Sequence, residues 1–182
     1  MVEKVTKWSY LLPFLNTREK LHLLQISREL KQNHATVRKY LNYFEKQGIL
    51  KKSYQGRLTL YCLNTDSDRI IDVLTITEKE NLISKTQENL KLNELVNELQ
   101  KLTAKPILIF GSAVENFLNA NDIDILTTHK SLDLKKIENK LNIKTHLIII
   151  SSLNKIKESL RKEIIKKHLI INNTEEIVKW LL

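Results

Sequence analysis

The 182-residue sequence has little cysteine, glycine or proline, and it lacks a long apolar run. A single cysteine, Cys62, excludes an internal disulfide framework and a cysteine-rich zinc site. No stretch approaches the roughly 20 apolar residues that a membrane-spanning helix needs. The start, Met1-Val2-Glu3-Lys4, lacks the apolar core of a signal peptide. We therefore expect a cytoplasmic protein without a membrane partner. With 42% hydrophobic and 28% charged residues, the composition is that of a globular domain and excludes a disordered chain.

Positive charge is concentrated in the first third of the chain. Residues 1–64 contain 12 Lys and Arg against 4 Asp and Glu, a net charge of +8, whereas residues 65–182 contain 18 against 17, a net charge of +1. A basic module attached to a nearly neutral one is typical of a polyanion-binding domain joined to a second domain. A lysine-rich solvated surface is the alternative.

Two helix patterns and two strand patterns occupy residues 1–64. Apolar spacing predicts a helix over 21–30, a break at 32–34 and a second helix over 35–47. In the second helix Val37, Leu41 and Phe44 form one buried stripe, and Gly48 ends it. Residues 49–52 and 57–63 have strand patterns, and residues 53–56 form the predicted turn between them.

Two helices with a tight turn, followed by a β-hairpin, have the order of a winged helix-turn-helix. The segments QISREL, HATVRKYLNYFEKQGILKK and GRLTLYCLN resemble the winged-helix domains of archaeal and bacterial transcription regulators over about residues 9–64. The resemblance implies a nucleic-acid-binding fold, with duplex DNA favoured over RNA. A few winged helices bind protein or RNA instead.

Candidate nucleic-acid-binding residues lie on the exposed side of the second helix and beside the predicted wing. They are His34, Thr36, Arg38, Lys39, Asn42, Lys51, Lys52 and Arg57. In a major groove Arg38 suits guanine and Asn42 suits adenine, because each side chain can make a bidentate contact. His34 lies at the turn between the helices and the last three flank the wing, where phosphates pass.

Residues 65–103 are polar and helix-rich, and we assign them as a helical linker between domains at 1–64 and 104–182. Leu92, Leu95, Leu99 and Leu102 repeat at helical spacing. Such a helix packs on its own domain or on a second subunit, so a homodimer remains open.

From Lys105 onward, alternating strand and helix patterns predict a small α/β domain. Strands are expected over 106–110, 122–126 and 145–150, with a short apolar piece at 169–171. Helical segments are expected over 113–118, 133–141, 152–167 and 174–182. The predicted fold class is α+β, a winged helix-turn-helix followed by this small α/β domain.

Asp122 and Asp124 lie two residues apart on a predicted strand, so both carboxylates leave the same face. Paired carboxylates repel each other unless a cation lies between them. Hard oxygen ligands of this kind suit Mg²⁺ or Mn²⁺ together with substrate phosphates. Gly111 allows a close backbone approach, and Ser112 with the following amides can hold a phosphate. The group predicts a site for a nucleoside triphosphate and its metal.

The run FGSAVENFLNANDIDIL resembles the signature of minimal nucleotidyltransferases of the DNA polymerase beta superfamily, within about residues 104–150. The resemblance implies that Gly111 and Ser112 bind the triphosphate and that Asp122 and Asp124 hold metal ions. The family's third carboxylate belongs on the following strand, where His146 stands. The usual basic residue after Gly-Ser is also missing, and Glu115 adds a negative charge there.

Two functions follow from these patterns. One is transfer of a nucleoside monophosphate from a triphosphate to a hydroxyl, with Asp122, Asp124 and His146 as catalytic candidates. The other is a catalytically degenerate DNA-binding transcription regulator, or an RNA- or ribosome-binding protein, whose second domain senses a nucleotide or mediates association.

Overall fold

The computed structural model describes residues 6–182 and has a mixed α+β architecture, as the sequence predicts. The chain folds into two compact units, which divide between Thr77 and Glu78. Within residues 6–182, every helix is too short or too polar to cross a membrane.

The first unit has the element order of a winged helix-turn-helix. A 3₁₀ helix at Lys7–Leu11 is followed by α1 (Leu12–Leu15), β1 (Leu21–His22), α2 (Leu23–Glu29), α3 (His34–Lys46), β2 (Leu50–Gln55) and β3 (Leu58–Leu63). The strands form an antiparallel sheet in the order β1-β3-β2. The β2–β3 hairpin is the wing.

Helix α3 follows directly from its sequence. The side chain of Asn33 caps its start by accepting a hydrogen bond from the backbone N–H of Ala35 at 2.7 Å. Val37, Leu41 and Phe44 are buried along one side, as their spacing predicts. Gly48, with φ of +71°, reverses the chain after the helix.

Two boundaries in this unit differ from the predictions. Leu21 and His22 form a short strand rather than the start of a helix, because they pair with Tyr61 and Leu60 of β3. Local spacing does not encode that tertiary pairing. The wing turn lies at 56–57 rather than 53–56, because the β2–β3 ladder continues to the Gln55 and Leu58 pair. A two-residue turn with Gly56 at φ of +59° suits the twist of the hairpin.

The second unit contains a four-stranded mixed sheet. Its elements, after α4 (Ile70–Glu88) in which the two units divide, are α5 (Leu90–Leu102), β4 (Ile107–Phe110), α6 (Ser112–Glu115), a 3₁₀ helix at Phe117–Asn119, β5 (Ile123–Thr127), α7 (Lys135–Leu141), β6 (Thr145–Ile149), a 3₁₀ helix at Leu153–Lys155, α8 (Glu158–Lys166), β7 (His168–Asn172) and α9 (Thr174–Leu181). The strand order is β6-β5-β4-β7, with β5 and β6 parallel and the other pairs antiparallel.

One face of this sheet and α5 share a buried core. Ile107, Ile109 and Ile125 pack with Leu95 and Leu99 of α5. Helix α5 therefore packs on its own unit, which is one of the two arrangements that its leucine spacing left open. Helix α5, the second helix within residues 65–103, therefore forms part of the core of the second unit.

Candidate functional site

The exposed side of α3 carries charged side chains close together. His34, Arg38 and Lys39 are exposed, and Thr36 is half-buried. Lys39 lies opposite the buried stripe that anchors α3 in its unit, Thr36 and Arg38 flank that stripe on either side, and His34 begins the helix. The face is thus polar, basic and supported by a rigid helix, which is the arrangement that reading base edges requires.

Asn42 makes a contact that the sequence does not reveal. The hydroxyl of Tyr61 on β3 donates a hydrogen bond to Asn42 Oδ1 at 3.2 Å, and Asn42 is half-buried. A bidentate contact with adenine uses both the amide oxygen and the amide nitrogen. The bond from Tyr61 joins Asn42 of α3 to the wing and leaves the second lone pair of the amide oxygen and the amide nitrogen for other partners.

The three predicted wing residues have different environments. Arg57 is exposed at the wing turn. Lys52 Nζ lies between two aromatic rings, 5.7 Å from the centre of Tyr54 and 5.9 Å from that of Tyr61. Lys51 Nζ pairs with Asp66 Oδ2 at 2.5 Å, so a phosphate would have to displace this carboxylate.

Tyr54 is an additional candidate that the sequence analysis placed in a turn. It lies on β2, and 71% of its surface is exposed. The only signal for it in the sequence is an aromatic residue next to basic ones. An exposed ring beside Lys52 can stack on a base or pack on a sugar.

The structure brings Gly111, Asp124 and His146 together at one end of the second sheet. Asp124 pairs in register with His146 on β6 and with Phe110 on β4, so the three side chains share a sheet face. Asp124 Oδ1 and His146 Nδ1 are hydrogen-bonded at 2.9 Å. A Cβ on Gly111 would lie 3.0 Å from Asp124 Oδ2. The glycine therefore permits the close approach of a carboxylate to the backbone.

Asp122 and Ser112 are both exposed, and neither lies within a strand. Strand β5 starts at Ile123, whose ladder partner is Thr145, so Asp122 lies in a bend before the strand and is exposed. The prediction that it is a strand residue is wrong, and strand alternation does not fix its carboxylate. Ser112 is the exposed first residue of α6.

The backbone amide of Gly111 is not available to a phosphate in this arrangement. Its N–H donates a hydrogen bond to the carbonyl oxygen of Lys167 at 3.2 Å. Gly111 therefore contributes to the site mainly through the space that it leaves for Asp124.

The site residues fit a divalent cation only in part. Among residues 6–182 no group of three or more His, Cys, Asp or Glu side chains is arranged to hold a metal ion. Asp124 and His146 offer two donor groups, with Asp122 near the same end of the sheet. Mg²⁺ is commonly held by one or two carboxylates plus substrate phosphates. A cation that arrived with a nucleotide would be held by Asp124, which has the His146 imidazole beside it.

A buried ion pair lies elsewhere in the second unit. His168 Nε2 is 2.8 Å from Glu78 Oε1, its Nδ1 is 2.8 Å from the carbonyl oxygen of Ile164, and both side chains are almost fully buried. Burial alone lowers the pKa of His168, but the charge and hydrogen bond of Glu78 and the backbone carbonyls outweigh it and raise the pKa. Glu78 and His168 are 90 positions apart in the sequence, so local sequence patterns cannot predict that they pair.

Comparisons with known proteins add little to this geometry. No family model matches the sequence, and no curated protein matches it. Solved structures that resemble it include a probable transcriptional regulator from Pseudomonas aeruginosa, with 19% identity and a TM-score of 0.38 over 55% of this chain and 79% of that chain. Another is MepR, a transcription regulator of the Staphylococcus aureus multidrug efflux pump MepA, with 18% identity and a TM-score of 0.35 over 54% of this chain and 80% of that chain. A third is Lactococcus lactis ZitR in complex with DNA, with 20% identity and a TM-score of 0.34 over 56% of this chain and 75% of that chain. TM-scores this low are too weak to assign a function, so the winged-helix assignment rests on the element order and sheet described above.

Proposed function

We propose that the first unit binds duplex DNA, with α3 in the major groove and the wing along the phosphate backbone. The observation that carries this proposal is the exposed basic side of α3, where Arg38 and Lys39 are exposed while Val37 and Leu41 are buried. Exposed Arg57 at the wing turn extends the positive surface. A helix whose apolar side is anchored in the unit can present its other side to base edges without reorganisation.

Charge supports the same proposal. The excess of eight positive charges in residues 1–64 favours a polyanion over a neutral partner. Lysine and arginine contacts with phosphates release counterions, so affinity for DNA falls steeply as salt rises. A homodimer would read two half-sites about one helical turn apart.

The direct test is fluorescence anisotropy of labelled duplex DNA and of structured RNA, titrated with the full chain at low and moderate salt. We expect binding to the duplex that weakens strongly with salt. Absence of duplex binding at low salt would refute the proposal, and a clear preference for structured RNA would favour the RNA-binding alternative.

We also propose that the second unit binds a nucleoside triphosphate with Mg²⁺ or Mn²⁺ at Asp124, next to Gly111 and His146. The supporting observation is the 3.0 Å approach of Asp124 Oδ2 to the position of a Gly111 Cβ, a tight contact that glycine avoids where the carboxylate faces the turn. A bound divalent cation supplies positive charge against the carboxylates and phosphates.

Thermal melting tests nucleotide binding without requiring catalysis. Millimolar nucleoside triphosphate with Mg²⁺ or Mn²⁺ should raise the Tm of the wild type by mass action. The Asp124→Asn variant should lose most of this shift, whereas Asp68→Asn, an exposed residue of the first unit, should keep it. Equal shifts in the wild type and in Asp124→Asn would refute the proposed site.

Nucleotidyl transfer is a separate question for the same site. The reaction forms a bond between an acceptor oxygen and the α-phosphorus, releases pyrophosphate and requires a base for the hydroxyl proton. His146, hydrogen-bonded to Asp124, stands at the position where the nucleotidyltransferases that the sequence resembles have a carboxylate. Incubation with labelled ATP, GTP, CTP and UTP plus Mg²⁺ distinguishes the two functions. Label on protein or RNA supports the enzyme, and binding without transfer supports a nucleotide-responsive regulator.

A further inference from the structure

An ion pair lies beside the Gly111 turn. Lys167 Nζ is 2.7 Å from Glu115 Oε2, and the side chains of Lys167 and Glu115 are 44% and 62% exposed to solvent. Glu115 is the last residue of α6, which begins directly after Gly111, and Lys167 precedes β7. The Lys167 carbonyl accepts the hydrogen bond from the Gly111 N–H at 3.2 Å. This backbone hydrogen bond holds Lys167 beside the Gly111 turn, which is also the turn that Asp124 approaches.

The Lys167–Glu115 pair places a positive charge beside the acidic residue that follows the Gly111 turn. The run after Gly111 and Ser112 contains Glu115 and no basic residue, which would repel a triphosphate. Lys167 comes from a distant part of the sequence and neutralises that carboxylate. A lysine ammonium is a compact charge on a flexible stem with three hydrogen-bond donors, and it binds phosphate well.

We propose that Lys167 is the phosphate-binding cation of the Asp124 site, and that Glu115 holds it when no nucleotide is bound. Nucleotide binding exchanges the Glu115 carboxylate for a phosphate oxygen on the Lys167 ammonium. The inference rests on the proposed nucleotide site. The exchange is feasible because an exposed ion pair contributes little net free energy in water, whereas a triphosphate carries several negative charges.

The proposal predicts opposite effects for the two partners. Lys167→Gln should weaken binding about tenfold, because it removes one charge-assisted contact. Glu115→Gln should tighten binding about threefold, because it frees the lysine and removes a repelling charge. Lys167→Arg, which keeps the charge, should retain most of the affinity. Lys162→Gln, an exposed lysine on α8, is the matched control and should leave the affinity unchanged.

The experiment is a calorimetric titration of the full chain with ATP and with inorganic tripolyphosphate, each in the presence of Mg²⁺. Melting curves of each variant report folding separately. Equal affinities in the wild type, Lys167→Gln and Glu115→Gln would overturn the inference, since a purely structural ion pair alters only Tm. If the wild type binds, Asp124→Asn does not and Lys167→Gln binds normally, this inference fails while the nucleotide site stands. If the wild type binds neither compound, both fail.

Discussion

Arg38 lies in the N-terminal half of α3 and is exposed, whereas Val37 and Leu41 are buried. Arg57 lies at the wing turn, also exposed, where it faces the backbone of a bound duplex rather than the bases in our proposed arrangement. The two arginines therefore have the same chemistry and different expected roles. Comparing them separates base recognition from phosphate attraction.

Arg38→Ala should reduce discrimination between a selected DNA sequence and random DNA by about 1–3 kcal/mol, because it removes a base contact. Arg57→Ala should weaken binding to both DNAs about equally and reduce the salt dependence by about one phosphate contact. Anisotropy titrations after selection of a preferred sequence would measure both effects. Equal losses on the two DNAs in both variants would contradict the assigned roles.

Two tyrosines on the wing allow the Asn42 contact to be tested with one substitution. Tyr61→Phe removes the hydroxyl that bonds Asn42 and should lower the free energy of unfolding by about 1 kcal/mol. Tyr54→Phe removes an exposed hydroxyl and should change it by less than about 0.5 kcal/mol. Urea denaturation measures both variants. A loss for Tyr54→Phe as large as that for Tyr61→Phe would contradict the structural role of the Tyr61–Asn42 bond.

At the scale of elements, the Gly111 turn connects β4 to α6 with φ of +79° and ψ of −149°, a conformation that only glycine adopts readily. Gly111→Ala should cost about 3 kcal/mol or more, because it adds backbone strain to the contact with Asp124. Gly56→Ala has open space around its Cβ and should cost about 1 kcal/mol.

Equilibrium unfolding and nucleotide-induced melting shifts test the comparison between the two glycines. Gly111→Ala should lose the nucleotide shift as well as stability, while Gly56→Ala should keep the shift. Similar stability losses for both variants, with the nucleotide shift retained in each, would show that Asp124 does not depend on the glycine.

Helix α3 and the buried strand β4 are predictable from sequence because spacing, capping and apolar runs act locally. The strand β1 and the full length of β2 are not, because their ladders depend on β3. Asp122 illustrates the same limit, since the predicted strand begins at Asp122, one residue before the start of β5. The sequence predicts that Asp124 and Gly111 belong to one site. The distance between them depends on the register of β4 against β5, which the sequence does not reveal.

At the scale of the molecule, the second unit is held in part by the buried pair of Glu78 on α4 and His168 on β7. Neither partner could be matched from sequence, because each looks like an ordinary polar residue of its element. The raised pKa of His168 makes the pair sensitive to pH. Its stabilising contribution is complete below the unfolded pKa of about 6.5 and declines as the pH rises through the raised folded pKa.

Glu78→Gln should lower the free energy of unfolding by about 3 kcal/mol near pH 6, because it leaves a buried histidine without its counter-charge. The difference from the wild type should narrow as the pH rises, since the wild-type pair then loses its proton. Denaturation curves between acidic and alkaline pH measure this. Glu175→Gln, which breaks an exposed pair with Lys179, is the control and should show little effect. A difference that stays constant with pH would contradict a protonated His168.

The division of charge between residues 1–64 and residues 65–182 was visible in the sequence, as was the α+β architecture. The charge distribution points to the first unit as the part that binds a polyanion. In our proposal the second unit, with its Asp124 site, is the part that binds a nucleotide. Binding of nucleotide and of DNA can be measured in one sample of the full chain.

The most direct test of the DNA-binding proposal is the salt dependence of binding between the full chain and duplex DNA. A plot of log K against log salt concentration should have a slope of about −3 or steeper, as expected when several lysine and arginine contacts neutralise phosphates. Arg38→Ala and Arg57→Ala should both weaken binding, and only Arg38→Ala should reduce sequence preference. A slope near zero, or no binding to duplex DNA at low salt, would contradict a DNA-binding first unit.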